Sequence, residues 1–337
     1  MEKDKPKIVF IGATKFGLSC LKLINSSPLY NVVGALTLPR EFSISYRPAG
    51  VRNVLYADIK KYCVSQNIDC MIKHNRKDPN LFKRIKALSP DLILVVGWYH
   101  VLTKPWLDLA PTYGLHASLL PNYSGGAPLV WAMINGEKKT GITLFKLVHF
   151  SPKGMSTEAQ VDSGPMIGQL STDIYPDDTI ATLYDRIELL GLKLLKEHLP
   201  MIANGSAKLL PQDERGRRVF PQRSPEDGII DWSLPALQIF NFIRAQTKPY
   251  PGAFTSYGQD KVTIWTIRLA GDAISQSLSP AEIKEVNQEV FVGCGGGPVL
   301  EINHMAINGK DKAVFDWWYH KVKPGNGHRF SMNPEAK

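Results

Sequence analysis

The pattern that most constrains this chain is an alternation, in its N-terminal part, of short apolar runs with amphipathic stretches. Lys7 to Gly12 reads KIVFIG, Tyr30 to Leu36 reads YNVVGAL, and Asp91 to Gly97 reads DLILVVG. None of these runs alternates polar with apolar residues, so each describes a strand covered on both faces, the habit of parallel sheets. Between them, Phe16 to Asn25 sets Leu18, Leu21, Leu23 and Ile24 on a helical period. Leu55 to Gln66 and the stretch around Leu81 to Leu88 read as further helices, with Ile68 to Ile72 as a short strand between them. Strand and helix in turn predict an α/β fold, a doubly wound and mostly parallel sheet of Rossmann-like layout.

The texture changes near residue 205. A polar linker, Leu210 to Arg223 (LPQDERGRRVFPQR), precedes one helix, Leu234 to Gln246. After it come only short alternating runs, Lys261 to Arg268, Glu289 to Val292 and Val299 to Ile302, separated by Gly-rich turns. That pattern predicts a smaller C-terminal β-barrel, OB-like in type. Two domains are expected, 1–205 and 206–337, which suits a chain of 337 residues.

Composition narrows the classes further. A hydrophobic content of 44%, with 27 Gly and 24 Pro in no period, excludes a disordered or collagen-like chain. No run approaches the roughly 20 apolar residues of a membrane helix, and the start has no signal-peptide core, so a cytoplasmic protein is expected. The cysteines, at 20, 63, 70 and 294, form no CxxC pair; reduced thiols and no metal site are expected. The formal charge of +9 is uneven, with 24 basic against 17 acidic residues through position 205 and 16 against 14 beyond it. A positive N-terminal part suits a phosphate- or polyglutamate-bearing small molecule as well as RNA.

Three stretches carry candidate chemistry. The turn Gly12-Ala-Thr-Lys-Phe-Gly17 lacks the second Gly of a dinucleotide fingerprint and the Lys-Ser/Thr of a Walker loop. It either joins strand to helix or, through Gly12 and Ala13, offers backbone N–H groups to an anion. Gly97-Trp98-Tyr99-His100 ends an interior strand, where doubly wound sheets bind ligands. These residues wall a flat heterocycle or cap the core. The third stretch is Tyr113-Gly-Leu-His-Ala-Ser-Leu-Leu-Pro-Asn-Tyr-Ser-Gly-Gly-Ala-Pro128, followed by a helix to about Asn135, a strand from Thr140 to Val148 and the turn Val161-Asp-Ser-Gly164. A His and an Asp meeting near a helix N-terminus would make an acid/base pair with an anion-stabilising site.

HASLLPNYSGGAP with VDSGPMIGQ resembles the signature of the folate-dependent formyltransferases, the family of methionyl-tRNA formyltransferase and of amino-sugar formyltransferases. Arg47-Pro-Ala-Gly50, Asp227-Gly-Ile-Ile-Asp-Trp-Ser233 and Lys248-Pro-Tyr-Pro-Gly-Ala-Phe254 extend the resemblance over most of the chain. It implies transfer of the formyl group of N10-formyltetrahydrofolate to a primary amine. It also implies His116 and Asp162 as catalytic residues, with the folate over Gly97, Trp98, Tyr99, His100, Val101 and Leu102. Ser118, Leu119, Leu120 and Pro121 would close one side. Gly12, Ala13, Arg40, Arg47, Arg52, Gly125 and Gly126 would meet a phosphorylated acceptor.

Three departures stand out. Gly114 replaces an Asn expected two residues before the His as an oxyanion donor, Ser124 stands where many members carry Arg, and residues 149–160, which include His149 and Glu158, lengthen the connection to Asp162. Asn122 and Ser118 are the nearby candidates to replace the missing donor. The wording VGWYHVL and PQRSPEDGIIDWS favours a nucleotide-linked amino sugar as acceptor. Methionyl-tRNA is the alternative, and a hydrolytic or inactive relative is the second. The sequence leaves the oligomeric state open, a homodimer included. His74, His198, His304, His320 and His328 show no ligand spacing, and Trp317-Trp318-Tyr319 is expected to finish the barrel.

Overall fold

The structure is a computed structural model; it describes residues 5–44, 47–74, 78–149, 161–270, 278–322 and 327–332. The chain divides into two compact units. The first comprises Met1–Gly125, Thr140–Thr172 and Asp185–Phe220; the second comprises Gly126–Lys139, Asp173–Tyr184 and Pro221–Lys337. The chain therefore passes between units several times, where its sequence marks one boundary near 205. The polar linker up to Phe220 belongs to the first unit.

The elements begin with β1 (Lys7–Gly12), α1 (Lys15–Asn25), β2 (Asn31–Thr37), β3 (Glu41–Ile44), β4 (Arg47–Arg52), α2 (Ile59–Ser65), β5 (Cys70–Ile72) and α3 (Pro79–Ala87). Next come β6 (Leu92–Val96), α4 (Lys104–Leu107), β7 (Thr112–His116), β8 (Ser124–Gly125), α5 (Pro128–Ile134), β9 (Lys139–Lys146), β10 (Met166–Asp173) and α6 (Ile180–Ala203). The chain continues through β11 (Val219–Phe220), α7 (Ala236–Arg244), β12 (Ala253–Tyr257), β13 (Asp260–Leu269), β14 (Ile283–Val286) and β15 (Glu289–Val292). It closes with β16 (Leu300–Ile307), β17 (Lys310–Lys312) and α8 (Val314–Trp317).

The main sheet has the order β10-β9-β7-β6-β1-β2-β5. The ladders from β5 through β2, β1 and β6 to β7 are parallel, and β9 joins β7 antiparallel. β1 and β6 are buried along almost their whole length, as their unbroken apolar runs require. Helix starts follow from short polar side chains: Thr14 Oγ1 accepts from Gly17 N, Asp58 from Lys61 N and Asp78 from Asn80 N.

Two elements differ from expectation. β3 and β4 form an antiparallel pair that no sequence pattern marked, and the helix read from Leu55 begins only at Ile59. Asn53 causes the second difference: its Oδ1 accepts from Leu55 N and its Nδ2 donates to Ala13 O, which holds the chain in a turn.

The second unit carries an antiparallel six-stranded sheet, β12-β13-β16-β15-β14 with β17 added on β16. Its core gathers Trp232, Ile239, Ile264, Met305, Trp317, Trp318 and Phe330. Trp232 stacks on Phe330 at 5.4 Å and is fully buried. Trp317 and Trp318 thus serve the packing of this unit, as the sequence suggested. Among the described residues no helix is long and apolar enough to cross a membrane, and no group of three or more His, Cys, Asp or Glu is placed to hold a metal ion.

Candidate active site

His116 is the last residue of β7, paired across the antiparallel ladder with Thr143 on β9. Strand alternation turns it to the same face as Gly114. Its side chain is 12% exposed, and its Nδ1 lies 3.4 Å from Asp162 Oδ2. Its Nε2 lies 2.8 Å from the carbonyl oxygen of Tyr123. A carbonyl only accepts, so Nε2 is the donor in that contact.

Asp162 sits in the turn that brings the chain back from residues 150–160, which lie outside the described residues. Glu158 falls there; His149 does not, and it is exposed. The Asp162 backbone is left-handed, with φ of 58°, a conformation that costs most residues on the order of 1 to 2 kcal/mol and Asp less. Gly125 N donates to Asp162 Oδ2 at 3.0 Å. Gln212 Nε2 donates to the carbonyl oxygens of both Asp162 and Gly164, each at 2.6 Å. Gly164 packs so closely on the Lys146 carbonyl that no side chain fits there, which explains the glycine of the Asp-x-Gly turn.

The SLLP loop is pinned from beneath. Thr143 is fully buried, and its hydroxyl donates to Ser118 O while accepting from Leu120 N and Gln169 Nε2. One donor and two lone pairs are then all used. Gln169 also donates to Leu120 O, and Ser118 Oγ donates to Asn122 O. Ser118 and Leu120 are buried at 1% and 3% exposure, so they support the loop, and only Leu119 and Pro121 keep partial exposure. Of the two candidate replacements for the missing donor, Ser118 spends its hydroxyl proton on its own loop. Asn122 Oδ1 accepts from Arg218 Nε at 3.3 Å, a contact that uses the acceptor of this amide and none of its Nδ2 protons.

An apolar side chain occupies the space beside Gly114. A Cβ built there would meet Leu147 Cδ1 at 2.7 Å, with the Phe145 ring and Val95 O at 3.4 Å. Leu147 packs on the core that contains Val95, Ile93 and Met71. The oxyanion donor expected next to His116 is therefore replaced by hydrocarbon.

The strand end at Gly97 turns with φ of 62°, tight against Thr14. Trp98 and Tyr99 pack with Phe42, Leu38 and Ala13. Phe42 lies 5.1 Å from the Tyr99 ring and 5.8 Å from the His100 ring. Tyr99 OH donates to Asn53 Oδ1. Trp98 Nε1 is a buried donor with no acceptor among the described residues, and Val101, three residues on, is 83% exposed. Leu102 joins the neighbouring core. Sequence reasoning missed Asn53, Thr143, Gln169 and Gln212, because a polar residue in a loop or strand gives no local sign of what it will meet.

The remaining predicted residues do not form one clamp. Gly12 leaves no room for a side chain between Val96 O and the Phe10 ring, while Ala13 N donates to Gly97 O and Lys15 N to Leu55 O. These amides serve the fold, and the turn joins strand to helix. Arg52 stands opposite Glu41 at one end of the hairpin and Arg47 opposite Ile44 at the other. Five residues of strand separate them by roughly 17 Å, too far for one diphosphate to bridge. Arg40 is exposed and stacks over Tyr56 at 5.2 Å, near Arg52. Burial pushes the Tyr56 phenol above its ordinary range, helped by Asp58 and opposed by Arg40. Gly125 gives its N–H to Asp162, and Gly126, in the second unit, lies where a Cβ would be 2.5 Å from the Gln222 backbone. Helix α5 has only seven residues and starts with Pro128 after Ala127, which provides no side-chain cap. It offers no anion site of its own.

The structure thus sets a strand-end His against a turn-borne Asp, where β9 joins the sheet antiparallel. The family described as formyl transferase matches residues 42–199, and its C-terminal domain matches residues 223–321. The chain is 32% identical over 299 residues to the methionyl-tRNA formyltransferase of Ruminiclostridium cellulolyticum, covering 87% of this chain and 90% of that one. It is 32% identical over 310 residues to the enzyme of that name from Alkaliphilus oremlandii, covering 91% and 93%. The crystal structure of the N-formyltransferase from Helicobacter canadensis, in complex with folinic acid and dTDP-3-aminofucose, superposes with a TM-score of 0.62 at 16% identity, covering 88% of this chain and 98% of that one. The chain belongs to the formyltransferase family, and it is an enzyme of formyl transfer.

Proposed function

We propose that the chain moves the formyl group of N10-formyltetrahydrofolate to the amine of methionyl-tRNA. The observation that carries this reading is the 32% identity to methionyl-tRNA formyltransferases across both units. The amino-sugar acceptor favoured by local wording rests on a likeness at 16% identity, which is a likeness of fold. The charged tRNA therefore stands ahead of the amino sugar.

In this reading the folate lies along Gly97 to Leu102. The aromatic wall of Phe42, Trp98, Tyr99 and His100 fits a flat ring, and the unpaired Trp98 N–H fits a ring acceptor. The co-substrate supplies an activated formyl carbon. The acceptor nitrogen bonds to that carbon, the bond from the carbon to the folate nitrogen breaks, and one proton passes from the acceptor to the folate nitrogen. His116 moves that proton and stabilises the oxyanion after its Nε2 exchanges Tyr123 O for substrate. Asp162 orients the ring from the Nδ1 side. With Leu147 beside Gly114, no side-chain amide assists at that position.

The purified chain is tested with N10-formyltetrahydrofolate and charged initiator tRNA, with a panel of amino-sugar nucleotides, and with no acceptor. Formyl-methionyl-tRNA as the product supports the reading. Product only from a sugar nucleotide, or formate release without an acceptor, overturns it.

A further inference from the structure

We propose that Gln212 and Arg217, on the polar segment after α6, are positioning residues that hold Asp162 against His116. This rests on the reading of His116 and Asp162 as the reacting pair. Arg217 is a guanidinium with its side chain only 8% exposed. Its Nη1 donates to Ser124 Oγ at 2.8 Å and to Val161 O at 3.1 Å. Its Nη2 donates to Gln212 Oε1 at 3.0 Å and to Glu214 Oε1 at 2.8 Å, and its Nε pairs with Glu214 Oε2. Gln212, 9% exposed, passes this on by clamping the carbonyls of Asp162 and Gly164.

The bonds close a circuit. Arg217 holds Ser124, whose neighbour Gly125 donates to the Asp162 carboxylate, and it holds Val161, the other neighbour of Asp162. Both the backbone and the carboxylate of Asp162 are thus fixed by one buried cation, so that Oδ2 faces His116 Nδ1. A left-handed Asp persists only where its surroundings over-determine it, and this circuit supplies the constraint. It also accounts for Ser124. The loop lacks its own arginine, and a guanidinium reaches the Ser124 hydroxyl from 93 residues downstream. A planar guanidinium with five donors in a rigid fork reaches four acceptor groups, which an ammonium on a flexible stem does not.

The test uses the full chain and the variants Gln212→Ala, Arg217→Ala, Arg217→Lys and Asp162→Asn, with thermal melts to confirm folding. Formylation of charged initiator tRNA should show kcat lowered about 10- to 100-fold by Gln212→Ala or Arg217→Ala, the effect of a slight misplacement of a reacting group, with KM for both substrates unchanged. Added guanidinium should restore part of the Arg217→Ala rate. In the Asp162→Asn background, Gln212→Ala should cost nothing more. A second readout needs no turnover: in chain labelled with nitrogen-15 histidine, Gln212→Ala and Arg217→Ala should move the His116 ring signals in the direction that Asp162→Asn moves them. Unmoved His116 signals, or additive kinetic losses in the double variant, overturn the proposal. If the wild type formylates no tRNA while those signals respond as expected, the acceptor reading fails and the positioning role stands. If the alanine variants do not fold, Arg217→Lys and Gln212→Asn are read by the same spectra, with the same outcomes deciding.

Discussion

Two positions on one strand, facing the same way, meet opposite surroundings. His116 ends β7 near a carboxylate and a backbone carbonyl, with the loop that follows and the Asp162 turn held by hydrogen bonds from Thr143, Gln169 and Gln212. Gly114, two residues earlier, meets the methyl of Leu147 and the ring of Phe145. The difference shows that two positions on one strand face are supported independently. The polar half of this site is braced from several directions, while the position next to it has been given to the core. One oxyanion donor is worth on the order of 3 kcal/mol, so that exchange bears directly on rate.

The comparison breaks most easily at its polar end. His116→Ala should lower kcat by roughly a hundred- to ten-thousand-fold; steady-state turnover near the wild-type value would show that the strand end is not the reacting position. At the apolar end, Gly114→Asn alone should destabilise the fold by about 1 to 3 kcal/mol through overpacking against Leu147. Combined with Leu147→Ala, the same Asn has room, and kcat should rise toward the roughly hundredfold that one donor supplies. A double variant no faster than Leu147→Ala alone would mean that this position no longer faces the formyl oxygen. Thr143→Val keeps the shape but strips partners from Ser118 O, Leu120 N and Gln169. It should cost on the order of 1 to 3 kcal/mol in a chemical melt, and an unchanged midpoint would show that water replaces the hydroxyl. Asn122→Ala should have the smallest effect, within about 0.5 kcal/mol of stability and without change in kcat. A large kcat loss would identify Asn122 as the missing donor.

The interior strands were legible because their signal is local: β1 and β6 are apolar at nearly every position, and only a strand buried on both faces tolerates that. The hairpin β3–β4 was not legible, since Arg47-Pro-Ala-Gly-Val-Arg52 alternates no apolar face and carries Pro and Gly. The 24-residue helix α6 was not read from the sequence, although Thr179 Oγ1 accepts from Thr182 N at its start and Gly205 turns with φ of 76° past its end; Pro200 lies inside it. The approach of His116 to Asp162 was legible from motif company, yet what supports it was not. Gln212 and Arg217 read as an ordinary polar linker, and nothing near them in the chain names Asp162 as their partner.

The amino-acid order on its own determined the parallel core, the antiparallel second unit, and a His and an Asp placed where a strand ends and a Gly-bearing turn returns. These are consequences of periodicity and of backbone sterics over a few residues. The tertiary structure alone decided that Leu147 fills the space beside Gly114, that Arg47 lies at the opposite end of the β3–β4 pair from Arg52, and that Arg217 reaches Ser124. Such contacts depend on strand register and on the paths of loops between residues far apart in the chain, and short-range patterns carry no record of either.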